Sequence, residues 1–144
     1  RLSHEILHTL IEVFIYLSLS FTCWELAAIC NAVMDTLKYH YHNSIFYVKY
    51  GNNGFWNEDH KDATPYIIPG TKYKVNAWHL FKSAMIILHA LSNCFIFLAG
   101  TYITYLPYKI LIVIGLLIVY GFRWNGFFNL FYNKILLQKK HRKS

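Results

Sequence analysis

The feature that most constrains this chain is a run of mostly apolar residues from about Ile6 to Val33. As a helix rising 1.5 Å per residue, such a run is long enough to cross the ~30 Å hydrocarbon core of a bilayer. A second run covers residues 77–100 and a third covers residues 109–122. Because 56% of the residues are hydrophobic and 19% are aromatic, the composition also fits an integral membrane protein better than a soluble domain.

The predicted fold is all-α: one membrane domain over residues 1–144, with three transmembrane spans (about 6–33, 77–100 and 109–122) and an amphipathic C-terminal helix. That last helix is expected within residues 124–144, where apolar residues recur at helical spacing with polar ones between them. The long hydrophilic segment 49–76 joins the first two spans and is predicted to be a lid over a site or a docking surface for a protein partner.

The net charge of +7 is concentrated near the C-terminus. Five cations lie in the last eleven residues: Lys134, Lys139, Lys140, Arg142 and Lys143. This position, directly after an apolar segment, predicts contact with anionic lipid headgroups and argues against a nucleic-acid partner. Three spans put loop 49–76 and the tail on one side, and the positive-inside bias predicts that this side is cytosolic, with the N-terminus on the opposite side.

Candidate site residues are densest between Asn31 and Phe46. If the first helix continues through this stretch, Asp35 and His42 share a face, and a second stripe forms at spacing i, i+4, i+8. The residues of that stripe are Thr36, His40 and Ser44. Span length does not require polar residues here, so the pattern predicts a site.

A metal or acid–base site is one interpretation of this region. His79 opens the second span and is expected near the end of the first, so carboxylates and imidazoles converge at one membrane boundary. The candidate ligands of a divalent metal, zinc or similar, are Glu25, Asp35, His40 (or His42) and His79. The other interpretation, which stays open, is that water and lipid phosphate solvate these groups in the headgroup region.

A runner-up metal site lies at the start of the chain, where His4, Glu5 and His8 match the H-E-x-x-H pattern of zinc hydrolases. A third ligand is needed, and Glu12 is the nearest acid on the C-terminal side. It lies about 12 Å along the helix from His4, too far to share one ion. The alternative is a polar, solvated start of an interfacial helix.

Three functions follow as hypotheses. The first is a hydrolase that acts on lipid or lipid-linked substrate at headgroup level. Its catalytic residues would be Asp35, His40, Ser44 and His79. The second is a non-catalytic subunit or assembly factor that docks a larger membrane complex through loop 49–76 and the basic tail. The third is a small transporter or channel component.

Several segments resemble a family of small polytopic membrane proteins of bacteria and phages. They are N-A-V-M-D-T-L-x-x-H-Y-x-x-S-I-F at 31–46, F-W-N at 55–57, P-G-T at 69–71, A-W-H-L-F-K at 77–82, and Y-G-x-x-x-x-x-F-x-x-L-F-Y-x-K-I-L at 120–136. The resemblance implies that Asp35, His40, Ser44 and His79 are the family's polar signature, but it implies no activity. Asn76 stands where the family pattern has an aspartate, which weakens an inherited metal site, and the S-W-x-N-K-Y segment is missing.

Overall fold

The computed structural model describes residues 2–51, 53–57, 66–67, 69–70, 74–103 and 106–138. Within those ranges three helices are long and apolar enough to cross a membrane, which confirms the helical membrane architecture. Most of loop 49–76 between residues 58 and 73, and the tail from Lys139, lie outside the described residues. The predicted docking role of the loop and the predicted lipid contact of the tail cations beyond Lys134 therefore stay predictions.

The described elements follow one another as helices with a small hairpin between the first two spans. Their bounds are α1 (Leu2–Tyr39), a 3₁₀ turn (Tyr41–Asn43), α2 (Ile45–Tyr50), β1 (Tyr66–Ile67), β2 (Lys74–Val75), α3 (Ala77–Thr101), α4 (Leu106–Asn129) and a π-helical segment (Leu130–Leu136). The two short strands pair antiparallel, Tyr66 with Val75. Helix α1 packs along most of α3 and also contacts α4, so it is the centre of the bundle.

A hydroxyl cluster joins the three long helices. The Ser20 hydroxyl lies 2.8 Å from both the carbonyl and the hydroxyl oxygen of Ser92, and it also bonds to the Tyr120 hydroxyl. The Ser92 hydroxyl in turn donates to the Ser20 carbonyl at 3.1 Å. All three residues are buried. Small hydroxyl side chains let α1 and α3 approach closely, and lipid offers these groups no alternative partner.

Beyond this cluster, near the C-terminal end of α1, the protein has an apolar core of its own. Its buried members are Ala32, Val33, Leu37, Tyr41, Ala77 and Leu136. By contrast, large apolar side chains along α4 are exposed, with Leu117 at 68% and Phe122 at 76%. Lipid-facing helices can expose such residues, whereas a water-facing end must bury them. The buried core therefore marks the part of the bundle that leaves the bilayer.

The C-terminal region differs from the expectation of a separate amphipathic helix after Arg123. Residues 124–129 continue α4, and Leu130–Leu136 extend it as a π-helical segment. Leu136 is buried in the apolar core, and Phe131 and Tyr132 pack against that core. The apolar spacing that favoured an interfacial helix thus serves packing against the end of α1.

Candidate functional site

The stretch after Asp35 does not form the predicted second stripe, because α1 ends at Tyr39. Ser44 instead caps α2: its hydroxyl donates to the Tyr41 carbonyl at 2.6 Å and accepts from the Tyr47 amide at 3.4 Å. Its side chain is fully buried. These two bonds give the Ser44 hydroxyl a role in local structure, and its proposed role as a nucleophile stays a prediction.

Asp35 and His40 both lie near Tyr132, whereas the described neighbour of the His79 ring is Trp78. Asp35 is half-buried and lies within electrostatic range of Lys38 and Tyr132. The His40 ring meets the Tyr132 ring edge-on at 5.6 Å between centroids, while His79 is exposed and its ring packs against its neighbour Trp78. In the described part of the chain no hydrogen bond or ion pair links Asp35 to His79, and no group of three or more potential ligands is placed to hold a metal.

Asn76, at the position where the resemblance predicted an aspartate, has a structural role. Its side-chain oxygen accepts the His79 backbone N–H at 2.9 Å and so caps the N-terminus of α3. An aspartate can make the same bond, because Asn and Asp are both strong N-caps. The position therefore fits a helix cap without any appeal to metal binding.

Glu25 lies apart from Asp35, in the spanning part of α1. It forms an ion pair with Arg123 of α4, and the Arg123 guanidinium also lies 5.1 Å from the centre of the Phe21 ring. The pair neutralises two charges that would each be costly in lipid. Glu25 thus bonds two helices together, and the same pairing explains how Arg123 is accommodated within α4.

The H-E-x-x-H residues lie on the first turns of α1, where His4, Glu5 and His8 are all exposed. The His8 Nε2 atom lies 3.9 Å from the Glu12 Oε1 atom, a loose i, i+4 contact along the helix. These residues are at the end of α1 opposite to Asp35, so the two predicted metal sites remain far apart.

A groove of about 480 Å³ lies between α1, α3 and α4. Its lining residues are Trp24, Asn31, Met85, His89, Gly121, Trp124 and Asn125. Trp24, His89 and Trp124 touch one another, with centroids 4.6 to 5.5 Å apart, and form an aromatic wall. The Trp24 indole N–H donates to the Tyr120 carbonyl at 3.0 Å, which holds that ring in place.

Three polar side chains of this groove have no hydrogen bond or ion pair among the described residues: Asn31, His89 and Asn125. A polar group in or near lipid that lacks a partner costs free energy. These three side chains are therefore available to form hydrogen bonds with a ligand in the groove. The aromatic wall and Met85 make the rest of the groove apolar.

The depth of the groove follows from the position of Lys82 near the start of α3. The Lys82 ammonium reaches back over the Trp78 ring at 4.8 Å, toward the start of α3, as a lysine at a membrane boundary does. From Lys82 to Thr101 the helix is about 29 Å long, one hydrocarbon thickness. His89 then lies about 10 Å inside that boundary, and Trp24 and Trp124 lie at the same level because they contact it.

Comparison with protein families, curated proteins and solved structures gave no match to this chain. The functional argument consequently depends on the geometry of the described residues.

Proposed function

We propose that this integral membrane protein binds a diacyl lipid, or an amphiphile of the same build, in the groove between α1, α3 and α4, and that it does so without catalysing a reaction. The observation that carries the proposal is a set of three polar side chains on one groove, Asn31, His89 and Asn125, none of which has a hydrogen bond or ion pair to a described residue.

The chemistry of the groove matches the region of a lipid where the acyl chains join glycerol. Ester carbonyls lie at the edge of the hydrocarbon, and amide or imidazole N–H groups can donate to them. Trp24 and Trp124, about 10 Å inside the boundary, would contact the acyl chains below the esters. A volume of about 480 Å³ falls in the range of small-molecule sites and far exceeds the ~30 Å³ share of one water.

A hydrolase has less support than binding. The four residues proposed for catalysis are the capping Ser44, the exposed His79, Asp35, and His40 beside Tyr132, and no hydrogen bond or cavity of the described residues joins them. A general acid–base pair needs its members within direct or single-water reach of one substrate. We place the groove on the cytosolic side, following the positive-inside expectation for loop 49–76 and the tail.

Lipid retention tests the proposal. Protein extracted in a mild non-ionic detergent is analysed for bound diacyl lipid by native mass spectrometry. The Asn31→Leu/Asn125→Leu variant should retain at least about tenfold less lipid, since about 1.4 kcal/mol of lost hydrogen bonding corresponds to that factor.

The matched control is Asn93→Leu, an exposed amide of α3 that does not line the groove. It should retain lipid like the unaltered chain. Equal retention by the groove variant and the control would overturn the proposal, provided that both keep the same helical circular-dichroism spectrum.

A second candidate function, a non-catalytic subunit of a membrane complex, is favoured by one observation on α4. Asn129 and Asn133 are both exposed, and the Asn133 amide donates to the Asn129 side-chain oxygen at 3.1 Å. Amides that pair along one helix face keep further donors and acceptors free for the same pair on a second copy. Parallel copies in one membrane would bring these residues together at equal depth.

A further inference from the structure

A second cavity, of about 210 Å³, lies just past the end of α1 on the proposed cytosolic side. Its lining residues are Lys38, Tyr39, His40, Tyr41, His42, Asn43 and Asn57. None of them is acidic, and Asp35, one turn earlier on α1, is not part of the lining. Among the described residues, the lining therefore presents cationic and neutral donors and no carboxylate, although Asp35 lies within electrostatic range of Lys38.

The donor side chains of this cavity are held by packing. Tyr41, which is only 4% exposed, donates from its hydroxyl to the Gly51 carbonyl at 2.5 Å. The His42 ring meets the Tyr47 ring at 5.0 Å between centroids. These contacts fix the turn while leaving the side-chain nitrogens of Lys38, His40 and Asn43 without a hydrogen bond to a described residue.

The hydrogen-bond donors that line this cavity favour an anionic ligand. Lys38 carries a full positive charge at neutral pH, and an imidazole donates at least one N–H in either protonation state. Asn43 adds a neutral N–H donor. Several donors around one positive charge suit the oxygens of a phosphate, which accept several hydrogen bonds at once.

The position of the cavity relates it to the lipid groove. Asn31 and Lys38 are seven residues apart, so they lie on nearly the same face of α1, about 10 Å apart along its axis. Helical side chains lean toward the N-terminus, which directs the Lys38 stem back toward the groove. Phosphate lies just outside the ester carbonyls of a phospholipid, in the direction of this cavity.

We propose that the cavity at Lys38, His40, His42 and Asn43 binds a phosphate group, and that this phosphate is the headgroup of the lipid held in the groove. This inference rests on the proposed lipid-binding function for the source of the phosphate. The same donors accept a phosphate on a soluble molecule, so the experiment separates the two sources.

The test uses the full chain in micelles of a non-ionic detergent that contains no phosphate, to which either dioleoyl phosphatidic acid or dioleoylglycerol is added. The two probes share acyl chains and differ in the phosphate. Binding is followed by tryptophan fluorescence, because Trp24 and Trp124 line the groove. Phosphatidic acid should bind at least about tenfold more tightly, and Lys38→Gln/His40→Gln/His42→Gln should reduce that preference to less than about twofold.

Lys49→Gln is the matched control, an exposed lysine of α2 that does not line the cavity, and it should keep the preference. The single variant Lys38→Arg, which keeps the positive charge and both histidines, should keep much of the preference for phosphatidic acid. If glycerol 3-phosphate competes, the site is a phosphate site supplied from solution; if it does not, the lipid source is supported.

The experiment distinguishes failure of the phosphate inference from failure of the lipid-groove proposal. Equal affinity for phosphatidic acid and dioleoylglycerol overturns the phosphate inference and leaves the groove proposal standing. No saturable response to either lipid overturns the groove proposal, and the phosphate site then depends on direct binding of glycerol 3-phosphate measured by calorimetry. Absence of that binding as well would overturn both.

Discussion

Glu25 of α1 and Arg123 of α4 form an ion pair across the bundle, 98 positions apart in the chain. A second polar link between α1 and α4 is the hydroxyl cluster of Ser20, Ser92 and Tyr120. The contribution of this ion pair to the stability of the fold can be measured, because removing either residue leaves the other as an unpaired charge in lipid.

Removing one member of the pair should destabilise the fold. Glu25→Gln and Arg123→Gln are each expected to lower the free energy of unfolding by about 2.5–3.5 kcal/mol, the cost of leaving the remaining charge unpaired in the membrane. Unfolding by SDS in mixed micelles, followed by circular dichroism, measures the change. The double variant Glu25→Gln/Arg123→Gln should lose less than the sum, and strict additivity would show that the two charges do not interact.

The hydroxyl cluster should contribute less to the free energy of unfolding than the ion pair does. Ser92→Ala removes its hydroxyl bonds to Ser20, and we expect a loss of about 0.6 kcal/mol, the mean for hydrogen bonds between transmembrane helices. The same SDS titration reports it. Ser18→Ala is the control, since Ser18 is exposed on α1. A loss at Ser18 as large as at Ser92 would contradict a specific role for the cluster.

High pH should destabilise the turn after α1. Burial, and secondarily the nearby Tyr47 hydroxyl, raise the pKa of the Tyr41 hydroxyl above its ordinary value. The neutral form is thus favoured in the folded protein, so its contribution is fully present below about pH 10 and is lost as pH rises through the higher folded pKa. Difference absorbance of tyrosinate between the unaltered chain and Tyr41→Phe should show a titration above pH 10.

The outcome that would contradict this account is ionisation of the Tyr41 hydroxyl at the ordinary tyrosine pKa, near 10. The hydroxyl would then not be desolvated in the way that its burial and its bond to Gly51 imply.

Self-association through α4 can be tested by crosslinking. In a background without Cys23, Cys30 and Cys94, Asn129→Cys should form an oxidation-dependent dimer in membranes, because parallel copies bring the same position together. Leu130→Cys is the matched control, at the same depth and also exposed but about 100° around the helix. Dimers of equal yield at both positions indicate random collision and would remove the support for a subunit role.

Membrane orientation gives an independent check. Cysteines placed one at a time at Lys49, at Ser144 and at His4 are treated with an impermeant maleimide, first in intact cells and then after the membrane is opened. With three spans, position 4 should react in intact cells, and positions 49 and 144 should both react only once the reagent reaches the cytosolic side. Labelling of positions 49 and 144 from opposite sides would contradict three spanning helices.

Sequence reasoning found the three helices because a bilayer demands long apolar runs, a requirement visible residue by residue. It did not find the partner of Glu25, since pairing with Arg123 depends on how α1 and α4 pack. The helix end at Tyr39 was also missed: no proline or glycine marks it, and the turn is set by Ser44 and Tyr41 bonds. Nothing in the sequence distinguishes Ser20 and Ser92 from other serines in a span, because their bonds depend on how α1 and α3 pack.

The order in which the ion pair is synthesised has a consequence for how the protein enters the membrane. Glu25 leaves the ribosome 98 residues before Arg123, an interval of about 5–20 s at ordinary translation rates. During that time α1 carries an unneutralised acid that lipid disfavours. Helix α1 is therefore expected to stay beside the insertion machinery until α4 arrives, so that the three helices are released to the bilayer as a group.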